Sequence, residues 1–120
     1  DIVGKWKIAE ASYPAAKKVL IERTRKMSPE AAEQIEAAGD DIFQLFGMMT
    51  FEYNSNGKYE FTTPQGPQGG DWKISDDGKY LIRTTSQGIK RKDSIMEVTP
   101  QKLKLMDGDF REVLEYVKAE

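Results

Sequence analysis

The sequence of 120 residues lacks both cysteine and histidine. Without cysteine, disulfides, thiolate metal ligands and cysteine nucleophiles are excluded. Without histidine, the commonest general base and the commonest transition-metal ligand are missing. These absences exclude most enzyme classes, so we predict a protein that is not an enzyme and has no cofactor and no metal site. Catalysis by Tyr, Arg, Asp or Glu alone remains a third possibility.

The sequence also lacks a strong net charge and long apolar runs. Its 18 basic and 20 acidic residues give a formal net charge of -2, which does not favour binding to nucleic acid. No apolar run approaches the roughly 20 residues that span a bilayer, so no transmembrane segment is predicted. The chain begins at Asp1 without Met, which suggests an upstream targeting segment. We therefore expect a secreted, periplasmic or lipid-anchored envelope protein.

The opening stretch, residues 2–10, is predicted to be a strand with one face built for a core. Gly4, Trp6 and Ile8 share one face because side chains alternate along a strand. Lys5 and Lys7 take the opposite face. The rest of the chain is expected to close around the face that carries Trp6.

Two helices are predicted next, over about residues 13–47. Ser12-Tyr13-Pro14 and Ser28-Pro29-Glu30 are typical helix starts, because Pro suits the first helical position and Ser caps it. The first helix is basic and the second acidic, so the two can pair as a hairpin of opposite charge. Gly39 predicts a kink or restart near Asp40-Asp41. These adjacent carboxylates point about 100° apart on a helix and imply no metal.

From residue 48 onward the apolar pattern switches to the alternation of an antiparallel meander. Turn residues divide it into seven further strands: 48–54, 58–63, 71–75, 79–86, 92–98, 102–107 and 110–118. With the first strand there are eight, which can remove their edges by closing the first against the last. We predict one all-β domain over 1–120, an eight-stranded antiparallel up-and-down barrel whose two inserted helices cap one end.

Repeated turns predict the register of the hairpins. Residues 52–61 and 73–82 are similar in turn and polarity, and each fits a three-residue loop ending in Gly. The predicted opposite pairs are Tyr53 with Tyr59, Phe51 with Phe61, Ile74 with Tyr80, Trp72 with Ile82, Val98 with Leu103, Met96 with Leu105, and Glu97 with Lys104. Pro64–Gly70 is predicted to be a mobile loop. The last strand has apolar residues on both faces, so its inward face stays open.

Three blocks of this sequence, taken in order, resemble the lipocalin and calycin superfamily, and most closely the small secreted bacterial lipocalin-like proteins. They are Gly4-Lys5-Trp6-Lys7-Ile8, residues 50–59 and residues 71–81. The resemblance implies that Trp6 closes one barrel end beneath a basic residue of the last strand, which would be Arg111. The helical insertion is closer to the helical cover of fatty-acid-binding proteins, which have more strands. No particular ligand follows from the resemblance.

The predicted ligand-binding residues are those assigned to the inside of the barrel. They are Phe51, Tyr53, Tyr59, Phe61, Trp72, Tyr80, Ile82, Met96, Leu103 and Leu105, and Ile74 and Val98 share their face. The alternative is that these side chains simply fill the barrel as a core, which a barrel of eight strands allows. The tyrosines favour a ligand or trapped water, because buried phenols need hydrogen-bond partners.

Two further groups have two interpretations each. Phe43, Phe46, Met48 and Met49 form either a soft lid over the barrel or ordinary packing of the cap. Lys90-Arg91-Lys92 with Arg83 is either a binding site for an anionic head group or partner, or a solvated charge run that protects a sheet edge.

We expect non-catalytic binding of a small apolar or amphipathic molecule in the barrel, outside the cytoplasm. The alternative is a filled barrel that acts as a protein-interaction or envelope-structural module. Its contacts would run through the helices and the Pro64–Gly70 loop.

Overall fold

The protein, described here by a computed structural model over residues 2–119, is a closed barrel of eight antiparallel strands in chain order. The strands are β1 (Gly4–Ile8), β2 (Thr50–Tyr53), β3 (Lys58–Thr63), β4 (Gly66–Ile74), β5 (Tyr80–Thr85), β6 (Lys90–Val98), β7 (Lys102–Met106) and β8 (Val113–Lys118). The predicted barrel, with its helices inserted between the first two strands, is confirmed. Each strand pairs with its neighbour in sequence, and β1 pairs with β8.

Three helices lie between β1 and β2: α1 (Tyr13–Met27), α2 (Pro29–Ala38) and α3 (Ile42–Met48). The side chain of Ser28 caps α2 by accepting the Ala31 N–H at 3.3 Å. The predicted second helix is interrupted at Gly39, whose φ of +63° is one that glycine adopts easily. A single 3₁₀ turn, Gly39–Asp41, then leads into α3.

Helices α1 and α2 form the predicted hairpin of opposite charge, while α3 packs against β1 and α1 packs against β8. Arg25 of α1 donates to Glu36 of α2 at 2.8 Å. Beneath this charged surface, the ring of Phe46 is buried and lies 5.6 Å from that of Tyr13, measured between centroids. Phe46 belongs to the same hydrophobic core cluster as Trp6 and Ile8 of β1, so an apolar layer holds the cap to the barrel.

Trp6 closes the barrel at the junction of β1 with its two neighbours. It lies opposite Phe51 on one side and Lys118 on the other. Its side chain is fully buried, and its Nε1–H donates to the Ile2 carbonyl oxygen at 2.8 Å. The cation over the ring is Lys118, with Nζ 4.5 Å from the centroid. The prediction of Arg111 is wrong, because Arg111 is an exposed turn residue with a φ of +61°.

The prediction of a mobile loop over Pro64–Gly70 is also wrong. Only Pro64 and Gln65 form the turn, and β4 starts at Gly66, which pairs with Thr63. Gly70 of β4 allows neighbouring atoms to pack closely against the strand. A Cβ on Gly70 would overlap the Thr84 carbonyl oxygen and lie 2.8 Å from the Tyr59 ring. At Gly70 the absence of a side chain therefore allows the Tyr59 ring and the Thr84 carbonyl to approach the strand closely.

The register of the first hairpin is confirmed, with Tyr53 opposite Tyr59 and Phe51 opposite Phe61. The predicted register of the second hairpin is wrong by one residue. Ser75 N–H donates to the Tyr80 carbonyl oxygen at 2.9 Å, so Lys79 belongs to the turn. The observed pairs across β4 and β5 are therefore Ile74 with Leu81 and Trp72 with Arg83. Because side chains alternate, this shift turns Tyr80 and Ile82 outward and Leu81 and Arg83 inward.

Between β6 and β7, the predicted pairs Val98 with Leu103 and Glu97 with Lys104 are confirmed. Leu105 instead lies opposite Ile95, because a bulge between Ile95 and Glu97 takes Met96 out of register. The Met96 side chain is 54% exposed.

The burial of its side chains shows which face of the last strand, β8, points inward. Leu114 and Tyr116 are buried and form the inner face of β8, while Val113 and Val117 are exposed. Both inner residues lie opposite buried leucines of β7. The barrel core is therefore deepest along β7, β8, β1 and β2.

Candidate functional site

The two sides of the barrel interior differ in how well they are covered. Inner residues of β1, β2, β7 and β8 are buried, including Trp6, Phe51, Leu105 and Tyr116. The inner faces of β3 and β4 are only partly covered. They carry Tyr59, Phe61 and Trp72, which are half-buried, and Gln68, which is exposed. We call these four residues the open wall.

The open wall meets a buried ion pair on the next strands. Arg83 of β5 points inward because of the register described above. Its Nη2 donates to Asp93 Oδ2 of β6 at 2.6 Å. Asp93 also accepts the Gly108 N–H on its other oxygen at 3.2 Å. The Arg83 side chain is 14% exposed and that of Asp93 is 7% exposed. The pair is therefore an internal feature of the barrel.

Two buried phenols line the region of this pair. Burial raises the pKa of Tyr53, and Arg83 partly opposes the shift. Burial likewise raises the pKa of Tyr116. Burial lowers the pKa of Arg83, but Tyr53 and Asp93 raise it more, and the net shift is upward. At neutral pH the site thus holds neutral phenols beside a permanently charged guanidinium.

One nitrogen of the Arg83 guanidinium is buried without a partner among the described residues. Within residues 2–119, Arg83 Nε is a buried N–H without a hydrogen-bond partner. A buried donor left unpaired costs about 1–3 kcal/mol, so such groups usually have a water or ligand as partner. Because Trp72 of the open wall lies opposite Arg83, an acceptor atom bound beside it could accept this N–H.

A second ion pair joins the cap to the barrel. Arg23 of α1 donates from Nη2 to Asp107 Oδ1 at 2.6 Å. Asp107 Oδ2 accepts the N–H groups of Asp109 and Phe110 at 3.0 and 2.8 Å. Burial raises the pKa of Asp107, but the bonds from Phe110 and Arg23 lower it more, so the net shift is downward. Asp107 is thus an ionised anchor for the turn between β7 and β8.

The structure divides the predicted ligand-binding residues into two groups. Phe51, Tyr53, Tyr59, Phe61, Trp72, Leu103 and Leu105 belong to the interior or pack against it. Their rings are in contact, with centroids 4.7 Å apart for Phe51 and Phe61 and 5.5 Å apart for Tyr53 and Trp72. The other three, Tyr80, Ile82 and Met96, lie outside for the reasons of register and bulge given above. A ligand-binding role for the inner group remains a prediction.

The predicted lid residues also separate. Phe43 and Phe46 form an aromatic cluster with Tyr13, and Met49 packs against the core. The Met48 side chain is 58% exposed. Packing of the cap accounts for the first three, and a lid movement remains a prediction.

Sequence reasoning missed the charged interior. Arg83 entered only as part of a basic cluster, and Asp93 was not singled out. The available signal was the alternation Leu81, Arg83 on one strand and Asp93, Ile95 on the next, which places opposite charges at apolar positions. The rest of the basic cluster is divided by the same alternation, since Lys90 and Lys92 are exposed and Arg91 shares the inner side with Arg83.

Two depressions of modest size lie on the surface. One, of about 250 Å³, lies between α1 and α2 and is lined by charged side chains such as Lys17, Glu22 and Arg25. The other, of about 170 Å³, lies beside β4 and β5 and includes Trp72 and Ile82. Trp72 alone belongs both to this depression and to the open wall.

No protein-family model matches the sequence. No curated protein matches it either. Among solved structures, it is similar to the crystal structure of a DUF4847 family protein from Bacteroides vulgatus, with a TM-score of 0.60 and 9% sequence identity. The likeness covers 99% of this chain and 96% of that one. At this identity it shows the fold alone: a barrel shared along nearly the whole chain.

Across residues 2–119, none of the helices has the length and apolar character needed to cross a membrane.

Proposed function

We propose that this protein is a non-catalytic binding protein that holds a small amphipathic molecule against the open wall, in a compartment outside the cytoplasm. The observation that carries the proposal is the unpartnered Arg83 Nε at the edge of a half-buried aromatic surface. Binding sites typically combine an apolar lining with a few polar groups that orient the ligand. The location outside the cytoplasm rests on the resemblance of three blocks, residues 4–8, 50–59 and 71–81, to small secreted lipocalin-like proteins.

The chemistry of the site supports binding without catalysis. The pKa shifts of Tyr53 and Tyr116 are upward, so both phenols hold their protons at neutral pH. Arg83 is paired with Asp93 and keeps its charge. A ligand would gain apolar contact with Phe61 and Trp72 and one hydrogen bond from Arg83. None of these three interactions requires proton transfer.

The test is native mass spectrometry of the purified protein before and after solvent extraction, followed by titration with an environment-sensitive fluorescent fatty acid. We expect saturable one-to-one binding by the wild type and its loss in Phe61→Lys, which places a charge on the open wall. The matched control is Ile82→Lys, which places the same charge on the outer face of β5 and is expected to bind normally. Circular dichroism establishes that both variants are folded.

Fluorophore binding that does not saturate, or equal binding by the two folded lysine variants, would contradict the proposal. Such a result would favour the alternative, a filled barrel that acts as an interaction or envelope-structural module. The observation behind this alternative is apolar surface outside the barrel. Met96 is 54% exposed, Val113 is 43% exposed, and Val117 is also exposed.

A further inference from the structure

Three guanidinium groups come together where α1 meets the barrel. Arg83 and Arg91 lie opposite each other on β5 and β6. Arg23 reaches this region from α1, and Arg23 and Arg91 contact the same oxygen, Asp109 Oδ2. The cluster therefore gathers cations from two consecutive strands and from α1, which is distant from them in sequence.

These guanidiniums are unequally paired. Arg83 and Arg23 each have a carboxylate oxygen at 2.6 Å, from Asp93 and Asp107 respectively. Arg91 Nη1 lies 3.7 Å from Asp109, beyond hydrogen-bond distance. Arg91 is thus the cation of this cluster with the weakest ion pair.

The surroundings of Arg91 favour an added anion. Its side chain is 30% exposed, so it is reachable from solvent. Burial lowers the pKa of Arg91, and repulsion from Arg23 and Arg83 lowers it further. An oxyanion that contacts both Arg23 and Arg91 would relieve this repulsion. Arginine suits such a contact because its planar fork can donate two hydrogen bonds to one oxyanion.

The position of the Asp109 carboxylate allows it to leave the two guanidiniums of Arg23 and Arg91. Its side chain is 56% exposed, and its oxygen lies 3.5 Å from Arg23 and 3.7 Å from Arg91. The backbone of its turn is held separately, by the hydrogen bonds to Asp107 Oδ2. The Asp109 carboxylate can therefore swing into solvent while the turn stays in place. Nearby, Lys26 Nζ lies 4.9 Å from the Phe110 ring centroid and adds positive charge at the rim.

We propose that Arg23 and Arg91 form a binding site for the oxyanion of a small molecule, a carboxylate or a phosphate group, and that the Asp109 carboxylate occupies this site when no ligand is bound. The incoming oxyanion replaces Asp109 between the two guanidiniums and forms direct hydrogen bonds with them. The two arginines come from α1 and β6 and meet at the turn between β7 and β8. Neither belongs to the open wall, so the site can be tested independently of a ligand there.

The experiment is a titration of the full chain, labelled with ¹⁵N, with sodium phosphate in one arm and sodium acetate in the other, at constant ionic strength. The amide signals of Gly108, Asp109 and Phe110 report on the turn. We expect these signals to shift saturably, and Asp109→Asn to bind roughly tenfold more tightly, because a competing charge within 4 Å is removed. The arm with the tighter binding identifies the preferred oxyanion.

Two further variants test the location of the site. Asp71→Asn removes an exposed carboxylate that is paired with Lys58 at 2.6 Å, and is expected to match the wild type. Arg91→Gln in the Asp109→Asn background is expected to abolish the saturable shifts. If Arg91→Gln does not fold, Arg91→Lys is expected to weaken binding several-fold through loss of the fork. Equal affinities for Asp109→Asn and Asp71→Asn, or shifts spread over exposed lysines, would overturn the proposal.

Discussion

The pairing of Arg83 with Asp93 places a charge inside the barrel that the fold must keep compensated. Both side chains are largely buried and joined by a short hydrogen bond of 2.6 Å. Removing one partner of such a pair typically costs more than removing both, because the remaining charge stays buried without compensation. The effect of either residue on the stability of the fold therefore depends strongly on the presence of the other.

We predict that Asp93→Ala lowers the free energy of unfolding by about 3–5 kcal/mol. The double variant Arg83→Met with Asp93→Ala should recover part of this loss, because no uncompensated charge remains. Urea denaturation followed by tryptophan fluorescence measures both. Asp71→Ala, which breaks the exposed pair with Lys58, is the control and should cost no more than about 1 kcal/mol. A double variant less stable than Asp93→Ala would show that the pair has another role.

At the scale of single elements, β4 depends on glycine for close packing. Gly70 is covered by the Tyr59 ring on one side and the Thr84 carbonyl on the other. Gly69, its neighbour, would place a Cβ 3.3 Å from the Tyr59 carbonyl oxygen, a much milder contact. The two positions therefore form a matched pair within one strand.

We predict that Gly70→Ala destabilises the protein by about 2 kcal/mol or more, because the added methyl forces β5 or the Tyr59 ring to move. Gly69→Ala should cost clearly less. Thermal unfolding of the two variants side by side measures the difference. Equal losses at both positions would mean that the cost comes from strand propensity and that packing at Gly70 is not the cause.

Much of each hairpin could be predicted from sequence, and the exception has a local cause. In the first hairpin the chain turns through Ser55, Asn56 and Gly57, as the pattern indicates. In the second, Ser75 Oγ donates to Asp77 Oδ1 at 2.6 Å and accepts the Tyr80 N–H at 3.1 Å. These side-chain bonds stabilise a loop one residue longer. Sequence alternation alone does not distinguish the two loop lengths.

This single residue determines the candidate site. With the shorter loop, Ile82 would face the interior and Arg83 the solvent. With the observed loop, Arg83 is inside and meets Asp93. The alternation of Arg83 with Leu81 indicates that the two share a face, but residue types alone do not show whether that face points inward, because this depends on the length of the loop.

At the scale of the whole molecule, the barrel depends on the pairing of β1 with β8. Val117 of β8 lies opposite Lys7 of β1 and opposite Lys102 of β7. Its side chain is exposed, so a substitution there acts mainly through the backbone. Closure of the barrel can thus be tested without touching the core.

We predict that Val117→Pro costs about 3 kcal/mol or more, because proline removes a backbone donor from a strand paired on both sides. Val117→Thr keeps the donor and the branched side chain and should be nearly neutral. The midpoint and slope of urea unfolding measure both effects. A proline variant as stable as the wild type would mean that closure contributes little to stability.

The overall architecture was predictable because strand alternation, turn residues and helix starts act locally. The number of strands, their order and the insertion of the helices all follow from such signals. The uneven covering of the interior was not predictable. It depends on the cap packing against β1 and β8, an arrangement set by long-range contacts such as Arg23 with Asp107.

The helical insertion also has a consequence for how the chain folds. Strands β2 to β7 each pair with the next strand along the chain, so their hairpins can form as synthesis proceeds. β1 is made first, yet its partners Phe51 and Lys118 lie far along the sequence. Because loop closure over long separations slows folding, we expect docking of β1 to be the late step. Until β8 is complete, Trp6 has no closed barrel to enter, which leaves the nascent chain with an exposed strand edge that chaperones can recognise.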